Sequence, residues 1–308
     1  MEKIGILFNP SAGKGKAQQS KERLEKLLLQ HEVDYELFIT QSEDDLRRQA
    51  REKTATYRII AGAGGDSTFN IIINETKKKG AEIILGMIGL GSSNDITKEF
   101  EIDSLEKACA ALKRRMIKRI DLGCLVQDNK ILGYFLGQAS LGLGVLVNKY
   151  VEDLAQRKPK MGKIQTLAGA LGIIDSYSSK KIPIPLTVES EKRRDEGRYV
   201  VAVFNNMRYW ATGRRVTPRA LVDDGRLDCC LIKDCSLARF SRLVFLSARG
   251  KHTRAKEVDT LQSPYFEVSS EKAFEIQADG EIVGGAQTPS QFNKIVFKII
   301  PKALDIIC

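Results

Sequence analysis

Gly64-Gly65-Asp66-Ser67-Thr68 follows the apolar run Tyr57-Arg58-Ile59-Ile60-Ala61 and opens the amphipathic stretch Phe69 to Lys79. Two glycines and small hydroxyl residues let backbone N–H groups approach phosphate oxygens, and an aspartate at a strand's carboxyl end can hold Mg²⁺. The same residue types also make ordinary tight turns and helix caps. Two further segments weigh toward a ligand. Asn9-Pro10-Ser11-Ala12-Gly13-Lys14-Gly15-Lys16 follows the strand-like Ile4 to Phe8, and Gly89-Leu90-Gly91-Ser92-Ser93-Asn94-Asp95 follows Ile83 to Ile88. All three turns fall at carboxyl ends of strands, where open α/β sheets place their ligands.

Outward from these turns, strand and helix patterns alternate. Ile4 to Phe8, Tyr35 to Ile39, Arg58 to Ala61 and Ile83 to Ile88 read as strands, and Ala17 to Gln30, Glu43 to Glu52, Ser67 to Lys79 and Ser104 to Lys113 as helices. This predicts an α/β domain with a parallel sheet over 1–120, to which the family resemblance given below adds nucleotide binding. Beyond it, Lys118 to Val126, Ile131 to Ser140, Ile184 to Glu189, Tyr199 to Asn205, Leu227 to Ile232, Phe274 to Ala278 and Lys294 to Ile299 read as strands. Val145 to Gln156 and Ile164 to Tyr177 read as helices. A mainly antiparallel β second domain over 121–308 follows, its C-terminal segment able to pack back on the first.

At 308 residues and 43% hydrophobic content the chain can build both cores. No run approaches a membrane span, no signal-peptide pattern opens it, and a cytoplasmic protein is expected. Six cysteines without Cys-x-x-Cys spacing predict reduced thiols, and His31 and His252, placed in a polar and a basic loop, offer no base for hydrolase chemistry. The net charge of +10 favours anionic phosphates or an anionic bilayer, whereas 7% aromatics without aromatic-basic interleaving disfavour nucleic acid.

With motifs and domain order in hand, the chain resembles the diacylglycerol kinase catalytic-domain family, in particular its soluble bacterial lipid kinases. Asn9-Pro10-Ser11-Ala12-Gly13, Gly64-Gly65-Asp66-Ser67-Thr68 and Gly91-Ser92-Ser93-Asn94-Asp95 are similar to its nucleotide loops. Ala139-Ser140-Leu141-Gly142-Leu143-Gly144, Pro218 to Asp228 and Asp279-Gly280-Glu281 are similar to elements of its β domain, in the family's order. The resemblance implies an ATP-dependent lipid kinase acting on a membrane lipid such as diacylglycerol, with ATP between the domains. It implies nucleotide contacts at Asn9, Pro10, Ser11, Ala12, Gly13, Thr40, Gly64, Gly65, Ser67, Thr68, Asn70 and Ser92. Asp66, Asp95 and Asp121 match carboxylates that organise Mg²⁺, Asp66 sharing in catalysis, and Glu281 matches the general base. Asp224, with the carbonyls of Leu221 and Arg226, matches a structural Mg²⁺ site.

Read from the residues alone, Asp66 and Asp95 serve equally as helix caps, Asp121 as a buried structural carboxylate, and Asp279-Gly280 or Asp223-Asp224-Gly225 as simple turns. The chain departs from the family at Ser67, Ile71, Ser92 and Gln138, where the pattern carries glycine, an acidic residue, threonine and asparagine. If position 67 needs a positive φ, serine costs on the order of 1–2 kcal/mol there. The alternatives are NAD kinase and a catalytically silent lipid- or nucleotide-binding protein. A lipid kinase would meet anionic membranes peripherally, and Arg157, Lys158, Lys160 and Lys163, with Met161 and Ile164, are the expected contact.

Overall fold

A computed structural model describes residues 2–157, 165–285 and 288–308. The chain divides into two compact units, residues 1–122 with 211–213 and 301–308, and residues 123–210 with 214–300.

The first unit is built on parallel strands β1 (Ile4–Phe8), β2 (Tyr35–Ile39), β3 (Ile59–Gly64) and β4 (Ile84–Gly89), in the order β2-β1-β3-β4. Asp305 and Ile306 of the last strand, Phe292–Ile307, lie parallel beside Ile84 and Leu85. β1 and β3 are buried throughout, as expected of strands covered on both faces. Helices α1 (Lys16–Gln30), α2 (Glu43–Lys53), α3 (Asp66–Lys78), α4 (Asp95–Glu99) and α5 (Leu105–Arg114) supply the cover. Leu24, Leu27 and Leu28 form the buried stripe of α1, and Ser42 and Ser104 cap α2 and α5 through the N–H groups of Asp45 and Lys107.

The second unit is a mainly antiparallel sheet. β5 (Ile117–Gln127) ends in a hairpin with β6 (Lys130–Phe135), through a turn whose Asp128 and Asn129 both have positive φ. Strands β7 (Gln138–Gly142), β8 (Ile184–Ser190) and β9 (Arg194–Asn205) pair antiparallel, β9 lying between the other two. The run expected as one strand from Ile131 to Ser140 is therefore two. The Asp279 carboxylate accepts the N–H groups of Leu136, Gly137 and Gln138, and Leu136 and Gly137 separate the two strands. Phe204 stacks on Phe297 with ring centroids 4.1 Å apart, at the centre of a core with Phe266, Val188 and Leu231.

The strands Val258–Ser263 and Tyr265–Phe274 and the helix Leu237–Ser247 also belong to this unit. None was expected from the sequence. Val258–Ser263 has only its two ends fully buried, so its apolar pattern is weak, while the helix is marked by its Ser236 cap and buries Phe240 and Leu243. Helix α6 (Leu143–Arg157) and the helix Gln165–Ser178 match the two expected interruptions. Among the described residues no helix is long and apolar enough to cross a membrane. Lys158, Lys160, Met161, Lys163 and Ile164 lie outside the described residues. Exposed Arg157 pairs with Asp153 at 2.8 Å.

His252 does not sit in an open basic loop. It is 1% exposed, with Nε2 3.1 Å from the Val216 carbonyl and 3.9 Å from the Cys230 Sγ. A carbonyl only accepts, so Nε2 carries the proton. Burial lowers the imidazole pKa from 6.5, more than the Val216 hydrogen bond raises it. The unfolded chain thus binds this proton at a pH where the folded chain does not. The stability contribution of neutral His252 is complete above 6.5 and is lost as pH falls toward the lowered folded value. Melting temperatures should therefore decline more steeply below pH 6.5 in the wild type than in His252→Gln, and parallel curves would show the imidazole to be uncoupled from stability.

Candidate active site

Three loops meet at the carboxyl ends of β1, β3 and β4. The Asn9 side chain folds its own loop by accepting the Ser11 N–H at 3.0 Å, and its Nδ2 donates to the Thr68 Oγ1 at 3.2 Å. Pro10 and Ser11 lead into a tight helical turn, Ala12–Gly15, in which Gly13 has φ +59°. A Cβ on Gly13 would lie 2.6 Å from the Leu90 carbonyl oxygen, and one on Gly91 would lie 2.5 Å from the Gly65 Cα. Backbone thus touches backbone between the loops, and only glycine allows it. Gly64 is equally confined, since its Cβ would fall 2.3 Å from the Thr68 Oγ1. Thr40, 2% exposed, ties the end of β2 to β1 by giving both its N–H and hydroxyl to the Phe8 carbonyl.

Gly65 caps α3, so Asp66, Ser67 and Thr68 form its first turn. Ser67 is not among the residues with positive φ, so the condition for backbone strain at this position is not met. Ser67→Gly should accordingly not relieve anything. It is expected to lower stability by about 0.5–1 kcal/mol, the cost of glycine inside a helix. Calorimetry checks this, and a raised melting temperature would restore the strain argument.

Ile71 is 3% exposed, so the family's acidic residue would be buried at this position. One turn on, Glu75 is 1% exposed and meets Arg51 at 2.6 Å, Lys78 at 2.9 Å and Arg47 at 3.4 Å. Burial raises its pKa, but Lys78 and Arg51 together hold it below the ordinary range. Asn70, also buried, accepts from the Asn74 amide, and Ser92 is exposed in the third loop.

The structure brings Asp66 and Asp95 together. The Asp66 carboxylate accepts the N–H groups of Asp95 at 3.1 Å and Ile96 at 3.2 Å, capping α4. Asp95 in turn accepts from Thr212 at 3.1 Å and Gly213 at 2.6 Å, with the Lys98 ammonium 3.6 Å away. Ala211, Thr212 and Gly213 all have positive φ, unfavourable for the first two, and this strained turn directs two N–H groups at one carboxylate. Thr212 and Gly213 were invisible to sequence reading. Asp121 is fully buried and accepts the Lys302 N–H at 2.8 Å.

Among the described residues no three His, Cys, Asp or Glu side chains gather as a metal cage. This fits Mg²⁺ only in the form it commonly takes with nucleotides, held by one or two carboxylates, waters and the phosphates themselves.

In the second unit Asp279 and Gly280, at φ +46° and +92°, turn the chain so that Glu281 pairs with Ala278. The turn is braced twice. Asp279 holds the three N–H groups already described, and the Gln277 Oε1 accepts the Gly280 N–H at 3.1 Å. The Gln277 Nε2 reaches the Ser140 hydroxyl at 2.8 Å, and Asn148 of α6 donates to the Gln277 Oε1 at 3.3 Å. Glu281 itself is half-buried.

Asp224 accepts from the Arg226 N–H at 3.0 Å and from the Gln262 amide at 3.0 Å, while Leu221 is largely exposed. The same amide reaches Asp228 at 3.3 Å. Burial first, with the Asp224 charge adding, pushes Asp228 up to about 6 against the Gln262 hydrogen bond and Arg219.

Residues 3–125 match the diacylglycerol kinase catalytic domain, and residues 137–308 match the YegS C-terminal NAD kinase beta sandwich-like domain. The chain belongs to the diacylglycerol kinase catalytic-domain family. It is an enzyme of the lipid kinase class. Diacylglycerol kinase of Staphylococcus saprophyticus is 24% identical over 93% of this chain and 90% of its own length. Diacylglycerol kinase of Bacillus subtilis is 22% identical over 98% and 97%. A crystal structure of a diacylglycerol kinase from Bacillus anthracis superposes with a TM-score of 0.71 at 16% identity, covering 99% of this chain and 96% of that one. The α/β architecture with its antiparallel β unit is thus that of the family.

Proposed function

We propose that the enzyme transfers the γ-phosphoryl group of ATP, with Mg²⁺, to a hydroxyl of a membrane lipid such as diacylglycerol. Residues 1–120 act as the nucleotide-binding domain and 121–308 as the lipid-substrate domain. The backbone-on-backbone convergence of Gly13, Gly65 and Gly91 carries this reading, because glycine-lined loops at strand ends present N–H groups to phosphate oxygens without side-chain obstruction.

Phosphoryl transfer asks for positioning and charge stabilisation rather than covalent help. Asn9, Pro10, Ser11, Ala12, Gly13, Thr40, Gly64, Gly65, Ser67, Thr68, Asn70 and Ser92 hold the nucleotide. When bound, Mg²⁺ would supply charge neutralisation at the transferring oxygens. Asp66, Asp95 and Asp121 orient it, with Asp66 also shaping the loop that approaches the phosphates. Glu281 takes the proton from the acceptor hydroxyl, and the braces at Gln277 and Asp279 fix its turn. Asp224 with the Leu221 and Arg226 carbonyls would hold a second, structural Mg²⁺. A substrate confined to the bilayer makes peripheral contact with anionic membrane part of the same reading.

The test is transfer of label from γ-labelled ATP to detergent-dispersed diacylglycerol, run beside NAD as acceptor. Labelled lipid is expected. Label on NAD would replace the assignment by NAD kinase, and label on neither would leave a binding protein.

A further inference from the structure

The helix Leu237–Ser247 has two unlike faces. Phe240, Leu243 and Ser247 are buried, whereas Ala238, Ser241, Arg242, Phe245, Ala248 and Arg249, following at intervals of three or four, are exposed. Phe245 is 78% exposed, so nearly its whole ring stands in water between Arg242 and Arg249. From Leu237 to Lys256 the sequence carries six Lys or Arg residues and no Asp or Glu. Arg239 is neutralised by Glu257 at 2.8 Å. Among the described residues Arg242, Arg249, Lys251 and Arg254 form no ion pair.

We propose that this face is a docking surface for an anionic lipid bilayer, with the Phe245 ring entering the headgroup boundary, Arg242 and Arg249 meeting lipid phosphates, and Lys251 and Arg254 adding positive charge in the segment that follows. An exposed aromatic set among unpaired cations on an amphipathic helix matches the chemistry of that interface. A second copy of the chain is a poor occupant, because apposing this face on itself would bring like charges together. Nucleic acid fits less well, since one projecting ring offers no succession of stacking platforms. The lipid-kinase reading supplies the reason for approaching a bilayer, while the surface stands on its own geometry.

Co-sedimentation of the full chain with vesicles of phosphatidylglycerol and phosphatidylcholine, against phosphatidylcholine alone, tests the surface. Wild type is expected to sediment with the anionic vesicles and to be released by salt. The double variant Arg242→Glu/Arg249→Glu is expected to bind at least about thirtyfold more weakly at low salt. Phe245→Ser should weaken binding about tenfold or more. These positions are exposed, so unchanged circular dichroism is expected of all variants. Equal binding by wild type and both variants would overturn the proposal, as would a wild type that prefers a single-stranded oligonucleotide to vesicles at equal phosphate. Activity on detergent-dispersed diacylglycerol, measured on the same proteins, should be unchanged by the substitutions. Its absence in wild type would count against the proposed reaction, separately from the vesicle result.

Discussion

Asp66→Asn is expected to reduce phosphoryl transfer by about 10²–10³-fold, the scale seen when one preorganised electrostatic group is removed from a transition state. Asparagine is the informative replacement. The Asp66 carboxylate accepts the N–H groups of both Asp95 and Ile96, so Asp66→Ala would strip the cap of α4 as well as a charge, at about 1–2 kcal/mol. Asparagine keeps one acceptor and removes the charge. A loss of turnover with only a small change in melting temperature supports the role in orienting Mg²⁺, and unchanged turnover in purified protein would remove it. Asp66→Ala should show both losses, because the residue that would face the metal also shapes the loop carrying Asp95.

Glu281→Gln is expected to lower turnover by about 10²–10⁴-fold with ATP affinity preserved, since the amide keeps the shape but accepts no proton. Its turn is held independently of the Glu281 side chain, by Asp279 through three backbone N–H groups and by Gln277 through that of Gly280. The substitution therefore leaves the hairpin in place, and lost activity reports on chemistry. Full turnover by Glu281→Gln would reduce the residue to a partner of Ala278 in a two-residue turn.

Much of the loop geometry of the first unit was legible because its signals are local. Apolar runs of about five residues ending in Gly, Ser, Asn and Asp placed the strand ends, and those ends are where the loops meet. Ser67 shows the limit of such reasoning. The family's glycine suggested a left-handed backbone, yet the position falls inside the first turn of α3, where serine is unstrained. His252 shows another. Its basic sequence neighbours suggest a solvated loop, while the fold seals its ring against Val216 and Cys230.

The sequence by itself determined the order of the main strands, helices and glycine-rich turns over the first 114 residues, since propensity, periodicity and capping act over a few neighbouring residues. Only the tertiary structure decided what each carboxylate touches. Asp95 takes its N–H donors from Thr212 and Gly213, Asp279 from Leu136 to Gln138, and Asp121 from Lys302. In each case the partners lie more than a hundred residues away. A carboxylate's hydrogen bonds depend on which backbone the fold delivers to it, and no local pattern encodes that delivery.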